Sequence, residues 1–424
     1  MKKSRTVPRP APVESARHLP LVDLLVDARS ELFELAVRSG LQVLETMLED
    51  DRTALCGPRY AHLADRQAVR AGTVRSEVVL GGRKVAIRRP RVRAGRQEMA
   101  LPTFQTMADV DPLNRRVVEQ MLVGVATRRY ARSLEPVPAT LRSRGTSKSA
   151  VSRRFVAKTA AQLAAWQTAA LDTLDLVGLL IDGVHIGEHC LIVALGIAAD
   201  GQKHALGLWD GSTENARGCQ DLLANLQSRG LRTDRSLLVI LDGSKALRKA
   251  VRTTFGEAAL VQRCQVHKAR NILEYLSERD RPWAHALLRR AYQTADPKLA
   301  QRLLLDLAKR LEPEYPSAAE SVREGLDETL TVLTLKLSPR LRRSLATTNA
   351  VESLISRTRL VKRNVKRWRG GQMMLRWVAA GILEAVKGFR RLKGYADMPT
   401  LVSALRARDR QLGLRTAEED RQVA

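Results

Sequence analysis

The chain has 424 residues, with 72 lysines and arginines against 45 acidic residues and a formal net charge of +27. Charge of one sign in that excess repels itself unless a polyanion is near, so a nucleic-acid partner is the first expectation, while 44% hydrophobic residues exclude a disordered basic tail and predict two or three folded domains. Four scattered cysteines, Cys56, Cys190, Cys219 and Cys264, are too few for a disulfide framework and point to a reducing cytoplasm, and no apolar run approaches the roughly 18 to 20 residues of a membrane span.

The first residues, Met1-Lys-Lys-Ser-Arg5, are basic, but Pro10, Pro12 and Glu14 follow instead of an apolar core, so they read as a flexible arm and not as a secretory signal. From Leu21 to Leu48, apolar residues at helical spacing (Leu24, Leu25, Leu32, Leu35) predict one or two short helices. Val78 to Ile87 reads as a hairpin about Gly81-Gly82, since glycine tolerates the positive φ such turns need. Its second strand runs into Arg88, Arg89, Arg91, Arg93 and Arg96 with no acid between them, either a solvated face or a phosphate-contacting one. The helical pattern returns from Asp111 to about Leu163, broken at Pro136, Pro138 and Gly145. Three short helical runs ending in Ser147-Lys-Ser-Ala-Val-Ser-Arg-Arg-Phe155 resemble a helix-turn-helix whose last helix presents Lys148, Ser149, Ser152, Arg153 and Arg154 to a DNA groove, although any small bundle with a basic face reads alike.

Beyond a linking helix (Ala160 to Leu174) the pattern becomes strand-rich. Leu176–Asp182, Cys190–Ala198 and His204–Trp209 predict three consecutive strands. Glu214–Arg229 is helical, Ser236–Asp242 is a buried strand, Ser244–Phe255 is helical, and no convincing strand follows Val266. A meander followed by helix, strand and helix is what an RNase H-like mixed sheet gives. The expected organisation is α/β: residues 1–110 an arm, short helices and a basic hairpin; 111–174 a helical DNA-binding region; 175–271 the sheet core; 272–345 a large helical insertion; 346–395 a further helical part of the core; and 396–424 a tail.

Ile181-Asp182-Gly183 and Leu241-Asp242-Gly243 each set an aspartate at the end of an apolar strand, the open sheet edge where α/β folds bind ligands. A single Asp-Gly after a strand is ordinarily a turn. Two such pairs on neighbouring strands would converge, and converging carboxylates repel unless a hard cation such as Mg²⁺ or Mn²⁺ lies between them. Glu352 in Thr347-Thr-Asn349-Ala-Val-Glu352 is the candidate third acid. The same residues read equally as a capping box, with Asn349 accepting from the backbone and Glu352 reaching back. The cations that follow, Arg357, Arg359, Lys362, Arg363, Lys366, Arg367 and Arg369, have no acid among them and favour a phosphate-handling site. Trp368 and Trp377 nearby could stack on bases, although aromatic residues in such helices are more often core. Cys264-Gln-Val-His267 lacks the second ligand pair of a structural zinc site, so Cys264 is expected in the core and His267 near the acidic edge, touching a phosphate.

These residues resemble the Mutator-type bacterial insertion-sequence transposases, in the stretches Leu180-Ile-Asp182-Gly-Val, Leu241-Asp-Gly-Ser-Lys-Ala-Leu247, Gln262-Arg-Cys264-Gln-Val-His267-Lys-Ala-Arg-Asn271 and Thr347-Thr-Asn349-Ala-Val-Glu352. The resemblance implies an RNase H-like core with Asp182, Asp242 and Glu352 as a metal-binding Asp-Asp-Glu triad. It also implies cleavage and joining of double-stranded DNA at element ends and target, a homodimer or higher oligomer on DNA, and a location in the bacterial cytoplasm on the nucleoid. A DNA-binding protein without catalysis, and a nuclease of similar fold without strand transfer, are the alternatives.

Overall fold

The computed structural model describes residues 20–61, 68–80, 83–109, 116–122, 124–127, 129–130, 134, 143–145, 147–186, 189–211, 216–362, 365, 368 and 370–414. In chain order the first elements are α1 (Pro20–Cys56), β1 (Val69–Leu80), β2 (Arg83–Ala94), β3 (Gln97–Met99), α2 (Pro102–Asp109), α3 (Arg116–Leu122), β4 (Ser143–Gly145) and α4 (Lys148–Thr168). The sheet core follows as β5 (Leu176–Ile186), β6 (His189–Ala198), β7 (Lys203–Gly211), α5 (Ala216–Ser228), β8 (Leu237–Leu241), α6 (Lys245–Phe255), β9 (Ala259–Arg263) and α7 (Gln265–Glu274). The rest is helical: α8 (Arg281–Gln293), α9 (Pro297–Leu311), α10 (Pro316–Arg323), α11 (Leu326–Thr334), α12 (Pro339–Leu345), α13 (Asn349–Lys362), α14 (Gly371–Val386) and α15 (Met398–Leu412). Two compact units result, one from residues 1–117 and 127–151, the other from 118–126 and 152–424.

In the first unit the expected short helices are one helix of 37 residues. Val37, Leu44 and Leu48 repeat on one face and are buried. Leu44 and Leu48 pack with Val78, Ile87, Val92 and Leu101, so tertiary burial carries the helix through Gly40. Its end is fixed where Gly57 adopts φ 76° and donates its N–H to the Thr53 carbonyl at 2.8 Å. β1 and β2 pair antiparallel from Val69↔Arg93 to Leu80↔Arg83, and the Gly81-Gly82 turn itself lies outside the described residues. Ser143–Gly145, expected within a helical bundle, is extended and adds to β2 through Val85↔Ser143. The predicted recognition and linking helices are a single helix, α4, started by Ser147, whose hydroxyl accepts from the Ala150 N–H at 3.2 Å. Pro136 and Pro138 lie outside the described residues.

In the second unit the strand order is β7-β6-β5-β8-β9, with β7, β6 and β5 antiparallel and β5, β8 and β9 parallel. Both faces are covered, which explains why these strands read as nearly continuous apolar runs. Leu179, Ile181, Val239 and Leu241 pack with α5 and α6 residues such as Leu222, Leu226, Val251 and Phe255, while Leu180, Val193, Leu238 and Ile240 join the larger core of α7 to α15. Two details depart from the expected strands. β5 does not stop at Asp182 but continues to Ile186, paired on one side only with β6. Residues 259–263, not foreseen as a strand, form the sheet edge β9. After Arg263 no strand occurs among the described residues.

The helical segment is anchored to β9 by buried polar contacts. The Gln262 side chain accepts from the Val332 N–H (2.9 Å) and donates to the Thr329 carbonyl (2.8 Å), and Glu328 accepts from Arg263 (3.1 Å) and Arg248 (2.6 Å). Helices α8, α9, α10 and α12 each carry proline in the first turn, where its missing N–H would have no partner anyway, which accounts for the breaks read at Pro316 and Pro339. No described helix is long and apolar enough to cross a membrane.

Candidate catalytic site

The parallel pairing of β5 with β8 ends at Ile181↔Leu241, so Asp182 and Asp242 are the next residues on adjacent strands. Asp182 is therefore mid-strand and no turn residue. The edge of β5 that β8 leaves unpaired opens on a cavity of 560 Å³ whose lining includes Gly183, Cys190, Asp242, Ser244, Lys245 and His267. Asp242 accepts from the Ser244 N–H at 2.9 Å, the turn contact expected of an Asp-Gly-Ser sequence, while Ser244 in turn caps α6.

β9 runs into α7 at Cys264, whose N–H donates to the Leu241 carbonyl at 2.7 Å, and the Gln265 N–H donates to the Ala346 carbonyl at 2.9 Å. These two bonds hold the start of α7 against both the end of β8 and the approach to α13. α13 docks through Val351, Leu354 and Ile355, buried at helical spacing, leaving Glu352 half-buried towards the site. Asp182, His267 and Glu352 consequently meet, each offering a ligand atom within 4.8 Å of the others, with His267 Nε2 3.3 Å from Glu352 Oε1. Asp242 stands outside this group, but its charge reaches it.

Burial, and then the charge of Asp242, push the Asp182 carboxyl up to about 7, against the opposing pull of His267 and a hydrogen bond from Thr348. The Cys264 sulfur first, and then Asp182 and Glu352, hold His267 protonated up to about 9 against its burial. Burial alone would push the Cys264 thiol up, yet hydrogen bonding with His267 and Thr348 brings it below the usual range.

Thr348 joins these groups. Fully buried, it donates its N–H to Cys264 Sγ (3.4 Å), its hydroxyl lies 3.5 Å from Cys264 Sγ and 3.4 Å from His267 Nδ1, and its carbonyl accepts from the Val351 and Glu352 N–H groups (2.8 and 3.1 Å). The residue before the helix is thus Thr348, not Asn349. Asn349 is exposed in the first turn, and Glu352, one position past the capping-box register, faces His267. The sequence does not single out Thr348, and His267, expected near the acidic edge and on a phosphate, stands at that edge against Glu352. The pair Thr347-Thr348 before an Asn-x-x-Glu start was the only hint of the former.

Arg88 is exposed, whereas Arg89 and Arg91 are paired with Glu98 of β3 at 2.8 Å, an acid beyond the arginine run that the strand pairing Arg93↔Glu98 brings back. Lys148, Ser149, Ser152 and Arg153 are exposed on α4 and Arg154 is half-buried. Arg357 is exposed on α13. The side chains of Arg359 and Lys362, and residues Arg363, Lys366, Arg367 and Arg369, lie outside what is described. Trp377 is buried, 4.4 Å from Phe155 between ring centroids, and Trp368 is half-buried against the larger core of the second unit.

Carboxylates from one strand and one helix, brought beside an adjacent strand's aspartate at the carboxyl end of a covered sheet, define a site suited to a hard cation. The family model described as transposase, Mutator family, matches residues 24–391. The chain belongs to that family. It is 33% identical over 196 residues to the transposase for insertion sequence element IS6120 of Mycolicibacterium smegmatis, covering 45% of this chain and 59% of that protein. It is 28% identical over 287 residues to the transposase for IS905 of Lactococcus lactis, 66% of this chain and 69% of that protein, and 26% identical over 305 residues to the transposase for IS256 in transposon Tn4001 of Staphylococcus aureus, 68% and 74%. Among the first curated relatives the match spans only half to three fifths of their own length, 50% to 59%.

Proposed function

We propose that the chain is an insertion-sequence transposase that binds the ends of a DNA element and catalyses metal-dependent cleavage and strand transfer, on an RNase H-like core carrying Asp182, Asp242 and Glu352 as its acidic triad. The observation that carries this reading is the approach of Asp182, His267 and Glu352, distant in sequence, to within 4.8 Å at the sheet edge beside Asp242.

The donor set fits Mg²⁺ or Mn²⁺. The acids are hard oxygen ligands, and burial and mutual repulsion raise Asp182 to about 7, a cost that a cation would relieve. When bound, such an ion supplies positive charge against a phosphodiester as one oxygen attacks and another leaves. Asp182 and Glu352 would hold it, with Asp242 at the adjoining strand end. Protonated His267 keeps the two carboxylates together between binding events, and Lys245 on the cavity wall is placed for a phosphate. Water cleaves the strand at the element end and the released 3′-hydroxyl then attacks target DNA, as in the family the sequence resembles.

Arg88, the exposed Lys148 and Arg153 of α4 and the half-buried Arg154 would contact the DNA backbone, as would Arg357, Arg359, Lys362, Arg363, Lys366 and Arg367. Residues 272–345 are read as the helical insertion. Holding two ends together calls for a homodimer or larger assembly on double-stranded DNA, on the bacterial nucleoid. The decisive test is Glu352→Gln. Glutamine is a neutral, poor ligand for Mg²⁺, so cleavage and joining should fall at least ~10³-fold while DNA binding and folding persist. Retained joining by a folded variant would remove the triad. Cleavage by the unaltered protein without any joining of cut ends to a second duplex would favour a nuclease.

A further inference from the structure

A second cavity lies against another face of α7, the helix that carries His267, and is not used by the chemistry above. It measures 1020 Å³, sits between α7, α8 and α12, and its lining reaches Gln265, Val266 and Thr347, the chain neighbours of His267 and Thr348. Its walls are largely apolar, including Ala269, Leu288 and Tyr292.

The walls are braced by two of its arginines. Arg281 Nε donates to the Leu273 and Leu276 carbonyls (3.1 and 3.2 Å) at the end of α7, and Arg342 donates to the Gln293 carbonyl (3.0 Å), linking α12 to α8. Three others, Arg270, Arg289 and Arg343, are exposed on the same lining, and no hydrogen bond or ion pair among the described residues engages them. Glu274 is the only acid on the lining. An apolar recess with unneutralised guanidinium groups suits a ligand with flat apolar faces and negative charge at its margin, and the recess is too small to admit a duplex.

We propose that this cavity receives one or two unpaired nucleotides of the DNA strand next to the phosphodiester held at the acidic group, the bases entering the apolar recess and their phosphates meeting Arg270, Arg289 and Arg343. The inference rests on the catalytic reading above, because only a strand engaged there delivers nucleotides to this mouth. It makes the site one that prefers locally opened DNA, where the cost of unstacking is already met.

The test uses the full chain carrying Glu352→Gln, so that cleavage does not intrude, and a short duplex that is either blunt or extended by a single-stranded 3′ or 5′ tail carrying 2-aminopurine beside the junction. A tail of one polarity should tighten binding about tenfold and change the probe's emission. Adding Arg289→Ala and Arg343→Ala should abolish both effects while changing blunt-duplex affinity by less than about threefold, since these exposed residues do not support the fold. Ala269→Trp, which sets an indole into the recess where a base would lie, should weaken both effects. No preference for either tail, or a preference surviving the arginine pair, overturns the proposal. Failure of the catalytic reading shows separately, as cleavage that persists in Glu352→Gln.

Discussion

Thr348→Val removes one hydroxyl and keeps the side chain's shape. Thr348 is fully buried and Asp182 is 4% exposed, so water cannot replace the lost donor. The Thr348 hydroxyl lies 3.5 Å from Cys264 Sγ and 3.4 Å from His267 Nδ1, and its influence holds the Asp182 carboxyl down against burial. Losing a hydrogen bond to a buried charged acceptor costs about 1.5–3 kcal/mol. Part of that cost appears as stability, a fall of a few degrees in Tm at about 2–4 °C per kcal/mol for a unit of this size. The rest appears in Asp182. Its carboxyl, already at about 7, loses a contact that favours ionisation, and each 1.36 kcal/mol raises it by about one unit. At pH 7 the apparent affinity for Mn²⁺ should therefore weaken several-fold, recovering at pH 9 where the acid ionises regardless. Thr348→Ser, which keeps the hydroxyl, should stay close to the unaltered protein. Metal titration by calorimetry at both pH values, with urea unfolding, measures both parts. A valine variant within about 0.5 kcal/mol of the original, with unchanged metal affinity at pH 7, would refute the assignment of Thr348 as the residue that positions the acids.

Metal-free protein should lose stability as pH rises. Asp182 is raised from 3.8 to about 7, so the folded chain keeps a proton the unfolded chain has released and stability falls across that window; His267, raised from 6.5 to about 9, extends the loss in the same direction. In EDTA, Asp182→Asn should flatten the decline between pH 4 and 7 relative to the unaltered protein, and identical pH profiles for the two would contradict the burial argument. In the first unit, Glu98→Gln frees Arg89 and Arg91, so non-specific DNA binding should tighten and its logarithmic salt slope steepen by about one to two; an unchanged slope means these arginines do not face DNA. Glu328→Gln leaves Arg263, 5% exposed, with only the half-exposed Glu324 carboxylate at 3.4 Å, and should cost about 1.5–3 kcal/mol by urea unfolding; a cost under about 0.5 kcal/mol would show that α11 is not anchored through this pair.

The sheet was legible because both of its faces are buried. Residues 176–181, 190–198 and 237–241 are apolar without interruption, a pattern that needs no partner to be read. β9 escaped notice because Gln262 and Arg263, polar by type, are buried only through Thr329, Val332 and Glu328, which lie far along the chain. The same dependence on distant partners hides the acid that pairs with Arg89 and Arg91, because Glu98 arrives on β3 by strand pairing. α1 was divided for the opposite reason. Its continuity comes from packing on the hairpin, and local spacing alone gives no sign of that support.

The site shows how far residue type can go. Two Asp-Gly pairs after strands suggested turns or ligands, and the two instances turn out to differ. Asp242 does make the local contact with the Ser244 N–H, whereas Asp182 is continuous with its strand and meets His267 and Glu352. Glu352 posed the same choice, and one residue of register decides it. Had Asn349 been the cap, Glu352 would stand three positions on and its carboxylate would belong to the backbone. With Thr348 ahead of the helix, the first amides are satisfied by its carbonyl, and the Glu352 carboxylate is left to meet His267 and Asp182. Which way the Glu352 carboxylate faces therefore depends on Cys264, which accepts from the Thr348 N–H and so draws the start of α13 against α7. A Cys-x-x-His motif that reads as an incomplete zinc site acts here as the support on which the third acid is set.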